Sequence, residues 1–234
     1  MGKILLKNIT VGDVLSDIFI SGDKICGISP ASQPSSLAWE YAPDVETMDC
    51  TGKTAIPGFV NMHTHAAMSL MRGVAEDVPN LQVWLDKIWE MEAKLNADFI
   101  YWGTKVACLE MIKTGTTMFN DQYWFSQSAH KAAVEMGIRP VISYVVLDHN
   151  KPEEAQRQRE QCIRRYEESL EWKDNAIFEV AFHAVYSVSE EMILWVSEFA
   201  RKHNLRLHIH LSETLKEVED CKALHGGLSP VEYL

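Results

Sequence analysis

The chain has 234 residues, enough for one sizeable core or a core with a small satellite. It is 47% hydrophobic and 24% charged, which excludes a disordered or low-complexity chain. Its formal net charge of −11 and the lack of a basic stripe argue against nucleic acid as a partner.

The five cysteines (Cys26, Cys50, Cys108, Cys162 and Cys221) are scattered and form no CxxC pair. That usage predicts a reducing, cytoplasmic setting rather than a disulfide framework. No apolar run approaches the roughly 18 residues that suggest a membrane span, and the start lacks a signal-peptide core. A membrane is therefore not an expected partner.

In chain order, residues 1–56 read as a small all-β portion, expected to be a β-sandwich. Short strands are predicted at Ile4–Leu6, Ser16–Ser21, Lys24–Ile28, Val45–Cys50 and Thr54–Ile56, with turns at Gly12-Asp13 and Gly22-Asp23. Pro30–Ser36, rich in Pro and Ser, reads as a loop. From Pro57 the rhythm changes to alternating strands and helices. Strands are predicted at Phe59–His63, Thr116–Asn120, Val141–Leu147, Ile177–His183 and Arg206–Leu211. Helices are predicted at 81–95, 98–113, 126–137, 153–172, 189–203 and 214–224. Ser189 before Glu190-Glu191 suits a helix start, and Gly115, Gly137 and Asn204 suit helix ends.

Such alternation implies parallel strands with right-handed crossovers, in either a doubly wound sheet or a (β/α)8 barrel. No G-x-G-x-x-G turn follows the first of these strands. A histidine pair stands there instead, in Pro57-Gly58-Phe59-Val60-Asn61-Met62-His63-Thr64-His65. Alternate strand residues share a face, so His63 and His65 offer two imidazoles to one side. A second pair, His208 and His210, ends the fifth strand, and Glu213 follows. A catalytic metal site needs about three protein ligands, an open position and a nearby acid/base. His63, His65, His210 and Glu213 satisfy that list at C-terminal strand ends, where barrel enzymes keep their active sites.

These segments, with Met71-Arg72-Gly73-Val74-Ala75-Glu76-Asp77-Val78-Pro79, Glu110-Met111-Ile112-Lys113-Thr114-Gly115-Thr116-Thr117 and His208-Ile209-His210-Leu211-Ser212-Glu213-Thr214, resemble the amidohydrolase superfamily. Within it they look like the methylthioadenosine/S-adenosylhomocysteine deaminase branch, which also holds triazine chlorohydrolases. The resemblance spans the whole chain. It implies an α/β fold: a TIM-type (β/α)8 barrel, of which 57–234 supplies about five strand–helix units, beside the N-terminal β portion.

The resemblance further implies that His63, His65 and His210 bind one zinc ion per site (iron in some relatives). Glu213 would be the proton shuttle, Glu92 would hold ribose hydroxyls, and His183 would contact substrate. The expected reaction is hydrolytic deamination of a purine nucleoside or related heterocycle, with homo-oligomerisation left open. The alternative is another leaving group, as in a chlorohydrolase or a guanine/cytosine-type deaminase. A non-catalytic, barrel-keeping relative is disfavoured by retention of the three histidines and Glu213. His183-Ala184-Val185-Tyr186, where binuclear members need a lysine, favours a single ion.

Val141–Leu147 lacks the arginine that methylthioadenosine-type members usually carry near the third strand. A further histidine and a metal-binding aspartate of the family would fall beyond Leu234. The chain is accordingly expected to be the N-terminal part of a longer protein and inactive by itself. His208 is expected to pack or support the site, and Asp121 to serve a turn. His130, His149, His203 and His225 are expected on surfaces or helix ends, and the cysteines are expected not to ligate.

Overall fold

The computed structural model describes residues 2–173 and 176–234, in two compact units, Met1–Pro57 and Gly58–Leu234. In the first unit, strands β1 (Lys3–Val11), β2 (Val14–Ser21) and β3 (Lys24–Pro30) form an antiparallel meander. Its two connections are two-residue hairpin loops led by Gly12 and Gly22, both at positive φ, as such turns demand. Strands β4 (Val45–Asp49) and β5 (Thr54–Ala55) then run parallel to β1.

Among the described residues this unit is one mixed five-stranded sheet rather than the two facing sheets of the expected sandwich. Leu5, Ile9, Ile18 and Cys50 are its buried hydrophobic residues. A further departure is α1 (Pro34–Glu40), where Pro30–Ser36 reads as a loop from composition. Pro34 stands in the first turn, where its missing N–H is harmless, and Trp39 stacks on Phe19 with ring centroids 5.7 Å apart.

The second unit is built on a parallel sheet of β6 (Phe59–Thr64), β7 (Thr116–Tyr123), β8 (Arg139–Val146), β9 (Ile177–Phe182) and β10 (Leu207–His208). The spatial order is β10-β9-β8-β7-β6, so every strand pairs with its sequence neighbour. A doubly wound sheet reverses its order at a switch point, whereas a barrel does not. The order therefore decides for part of a barrel. β10 is shorter than the six residues the sequence predicts, although the His210 N–H still donates to the His183 carbonyl at 3.0 Å.

Helices α2 (Leu81–Glu92), α3 (Ala97–Lys113), α4 (Ser126–Met136), α5 (Pro152–Ser169), α6 (Glu190–His203), α7 (Leu215–Leu224) and α8 (Pro230–Tyr233) follow, with a 3-10 helix at Ala66–Met71. Five of these starts, those of α2, α3, α6, α7 and α8, are capped by side chains: Asn80, Asn96, Ser189, Thr214 and Ser229 each accept a backbone N–H of the first turn. α6 carries Glu190 and Glu191 in its first turn and Arg201, Lys202 and His203 in its last, matching the helix dipole. Its end is closed by Asn204 in the left-handed region at φ 52°.

Helices and sheet meet in two apolar clusters. Ile100, Ala129 and Ala133 pack with Phe119 and Ile142, while Met192 and Val196 pack with Val180 and Phe182. Among the described residues no helix is long and apolar enough to cross a membrane.

Candidate metal centre

The C-terminal ends of β6 and β10 bring His63, His65 and His210 together, with one nitrogen of each within 4.8 Å of the others. His63 ends the alternation of β6, while His65 lies just past it at the N-cap of the 3-10 helix. That junction is tied down by Asp121 of β7, whose Oδ1 accepts from the Ala66 N–H at 2.6 Å and the Thr64 hydroxyl at 2.9 Å. The sequence suggests a turn role for Asp121. It lies instead inside a strand and is fully buried, and burial pushes its carboxyl up to about 6.

Two of the imidazoles are held by backbone carbonyls. His65 Nδ1 lies 2.7 Å from the Gln122 carbonyl, and His210 Nδ1 lies 2.9 Å from the His183 carbonyl. A carbonyl only accepts, so Nδ1 carries the hydrogen in both rings. Each Nε2 is then a bare lone pair in the neutral ring, and these two nitrogens face each other at 3.1 Å. Burial, reinforced by the neighbouring imidazoles, pushes His65 down to about 4 and His210 down to about 3, so neither holds a second proton near neutral pH. Two opposed lone pairs at that distance repel unless a cation lies between them. The donor set, three imidazole nitrogens, suits zinc and its borderline neighbours. The group therefore fits a metal ion.

His63 is the most exposed of the three, and burial followed by the nearby His208 lowers its pKa. Its Nδ1 lies 2.8 Å from His208 Nε2, and His208 Nδ1 lies 3.0 Å from Glu179 Oε1. His183 stacks edge-on against His210 at 4.9 Å and pairs through Nδ1 with Ser187 Oγ at 2.8 Å. Burial pushes it down to about 4, so it stays neutral.

Glu92, at the end of α2, accepts from Tyr123 Oη at 2.6 Å, and burial pushes its carboxyl up to about 7. A narrow apolar slot between His65, His210, His183, Trp89 and Glu92 adjoins a cavity of about 600 Å³. The two share Trp89, Glu92 and Trp124.

Glu213 stands outside the metal-competent group, exposed on the loop after β10. Desolvation of its carboxyl and the neighbouring Glu217 push its pKa upward. Glu217, buried on α7, accepts from the Ser212 N–H at 3.0 Å and the Glu213 N–H at 2.7 Å, which fixes the loop.

His149 lies exposed against Trp89, at the cavity wall. His130 stacks on Trp172, His203 packs on Tyr166 and Phe199, and His225 on Tyr233, all apart from the cluster. Glu179, Gln122, Tyr123 and Glu217 escape the sequence reading. A charged residue in the otherwise apolar run Ile177–Phe182 is the one signal that could have exposed Glu179.

Residues 54–234 match the model of the Amidohydrolase family. The 5'-deoxyadenosine deaminase of Methanocaldococcus jannaschii is 40% identical over 234 residues, covering 99% of this chain and 54% of that protein. The 5-methylthioadenosine/S-adenosylhomocysteine deaminase of Thermodesulfovibrio yellowstonii is 42% identical over 197 residues, covering 82% of this chain and 44% of that protein. The chain thus spans about half the length of the curated relatives it matches. Among solved structures, an adenosine deaminase from Xanthomonas campestris with bound zinc superposes with a TM-score of 0.84 at 27% identity, over 98% of this chain and 54% of that one.

Proposed function

The chain belongs to the amidohydrolase family, and on that premise we propose that His63, His65 and His210 hold one zinc ion in a hydrolytic deaminase of adenosine-type nucleosides. The observation that carries the metal is the pair of opposed Nε2 lone pairs on His65 and His210, 3.1 Å apart. When bound, such an ion supplies the Lewis acidity that makes water a usable nucleophile at neutral pH.

The chain's own residues supply the rest. Glu213 takes one proton from the attacking water on its carboxylate and passes it to the purine ring nitrogen; it then moves the remaining hydroxyl proton to the exocyclic amine, which leaves as ammonia as the C–N bond breaks and the ring carbonyl forms. Its upward-shifted pKa suits a group that must both accept and release a proton. Neutral His183 contacts the purine, Glu92 holds the ribose hydroxyls, and Trp89 with Trp84 walls the slot against water.

The substrate side is sharpened by charge. Val141–Leu147 has no arginine, and Arg157 and Arg165 at the cavity are engaged by Glu154 and Glu168. A neutral 5' group, as in 5'-deoxyadenosine or methylthioadenosine, therefore suits the cavity better than the carboxylate tail of S-adenosylhomocysteine. On the same reading residues 1–56 are the satellite β portion, and the protein acts in the cytoplasm on a free small molecule.

The test is ammonia release by the zinc-loaded protein that carries this sequence, assayed across these three nucleosides with metal analysis alongside. Turnover should be highest on the two neutral substrates. Ammonia from none of them would overturn the reaction. Zinc content unchanged in the double variant His63→Ala/His65→Ala would overturn the site.

A further inference from the structure

Glu179 sits in the middle of β9, 1% exposed, in the run Ile177-Phe178-Glu179-Val180-Ala181-Phe182. A carboxyl group there is expensive unless it is paired. Its partner is His208 Nδ1 at 3.0 Å, and His208 Nε2 in turn meets His63 Nδ1 at 2.8 Å. The two contacts form one line, Glu179–His208–His63, from the buried strand to the most exposed imidazole of the cluster.

Hydrogen placement along this line follows from its first member. A carboxylate accepts, so the hydrogen of that contact belongs on His208 Nδ1. The His208–His63 contact needs one hydrogen, and with the His208 hydrogen on Nδ1 it comes from His63 Nδ1. That leaves the lone pair of His63 on Nε2. We propose that Glu179 and His208 are positioning residues for the metal, locking His63 as the Nδ1–H tautomer so that Nε2 is its ligand atom. The inference rests on the metal reading above.

The contrast with the other two histidines supports it. His65 and His210 have their tautomers set by the carbonyls of Gln122 and His183. His63 obtains the same setting from side chains. Outer groups of this kind orient a ligand and raise its basicity, and losing one weakens metal binding by about 10–100-fold. In this arrangement His208 is not itself a ligand, because its Nε2 is already engaged by His63.

The experiment has two readouts. Long-range 1H–15N correlations of the zinc-free chain assign the histidine tautomers, and competition with a chromophoric chelator gives the zinc affinity. In the unaltered chain His63 should be the Nδ1–H tautomer. His208→Leu should shift His63 toward Nε2–H and weaken zinc by about 10–100-fold. His208→Gln, whose amide oxygen can still accept from His63, should restore most of the affinity.

His63 found as Nε2–H in the unaltered chain would overturn the inference, and that holds even if the leucine variant does not fold. Zinc bound equally tightly by unaltered and leucine chains would overturn the inference alone. Both readouts are taken on the protein that carries this sequence, and no zinc bound by its unaltered form would overturn the metal reading and this inference with it.

Discussion

The three inner strands of this five-stranded stretch of sheet and its two outer strands differ in burial. In β8 every residue from Pro140 to Val146 is buried, with helices covering the sheet, as parallel strands require. β6 instead exposes Phe59, Val60 and Met62 by 57%, 50% and 68%, and β10 pairs over only two residues. Yet the three proposed ligands sit on or just beyond these outer strands. They are held by polar groups reaching out from the inner ones: Asp121 and the Gln122 carbonyl from β7, Glu179 from β9, and the His183 carbonyl just past β9. Apolar packing fills the centre, while the placement of the three histidines rests on hydrogen bonds at the margins. The two should therefore be separable.

The largest stability effect should come from the centre. Met192 of α6 is fully buried against β9, and Met192→Ala leaves a cavity there. We expect a loss of about 2–5 kcal/mol in urea unfolding. Zinc affinity of the folded fraction should stay unchanged. Zinc affinity falling in step with stability would break the proposed separation.

A smaller stability effect, but one that crosses to the margin, is expected at Gly103 of α3. A Cβ there would stand 2.4 Å from the Ala67 carbonyl oxygen, in the 3-10 helix that His65 caps. Backbone cannot yield as a flexible side chain does, so Gly103→Ala should push that helix away. The expected cost is about 1–3 kcal/mol in the same unfolding assay. Because His65 is attached to the displaced helix, zinc affinity should weaken as well, unlike in Met192→Ala.

The same division explains what could be read from the sequence. The barrel rhythm and the His63/His65 pair are local signals, since strand–helix alternation and the two-residue period both lie within short windows. His210 is legible because its segment repeats the pattern. The ties are not legible, because each joins residues far apart in the chain. Asp121 looks like a turn residue until β7 is seen to extend through Tyr123, and it meets Thr64 and Ala66 only when β6 and β7 pair. Glu217 resembles any first-turn helix acid, yet its carboxylate collects the N–H groups of Ser212 and Glu213. α1 is hidden by composition, because proline and serine mark both loops and helix starts.

An effect read as a slope with pH rather than as a single loss is expected at Glu92, which lies between the two regimes. It belongs to the slot, yet its shift comes first from burial, with the Tyr123 hydrogen bond opposing. Its folded-state value of about 7 stands above the ordinary 4.5, so the folded chain holds this proton more tightly than the unfolded one. The resulting stability is fully present below the unfolded value and is lost as pH rises through the folded one. Wild type should therefore lose stability relative to Glu92→Gln between about pH 4.5 and 7, by no more than about 1.4 kcal/mol per pH unit, with the difference constant above that window. Urea unfolding of both proteins at pH 5, 6, 7 and 8 measures it. A difference independent of pH would mean that water reaches the Glu92 carboxyl freely, and that the slot is as open as the outer strands beside it.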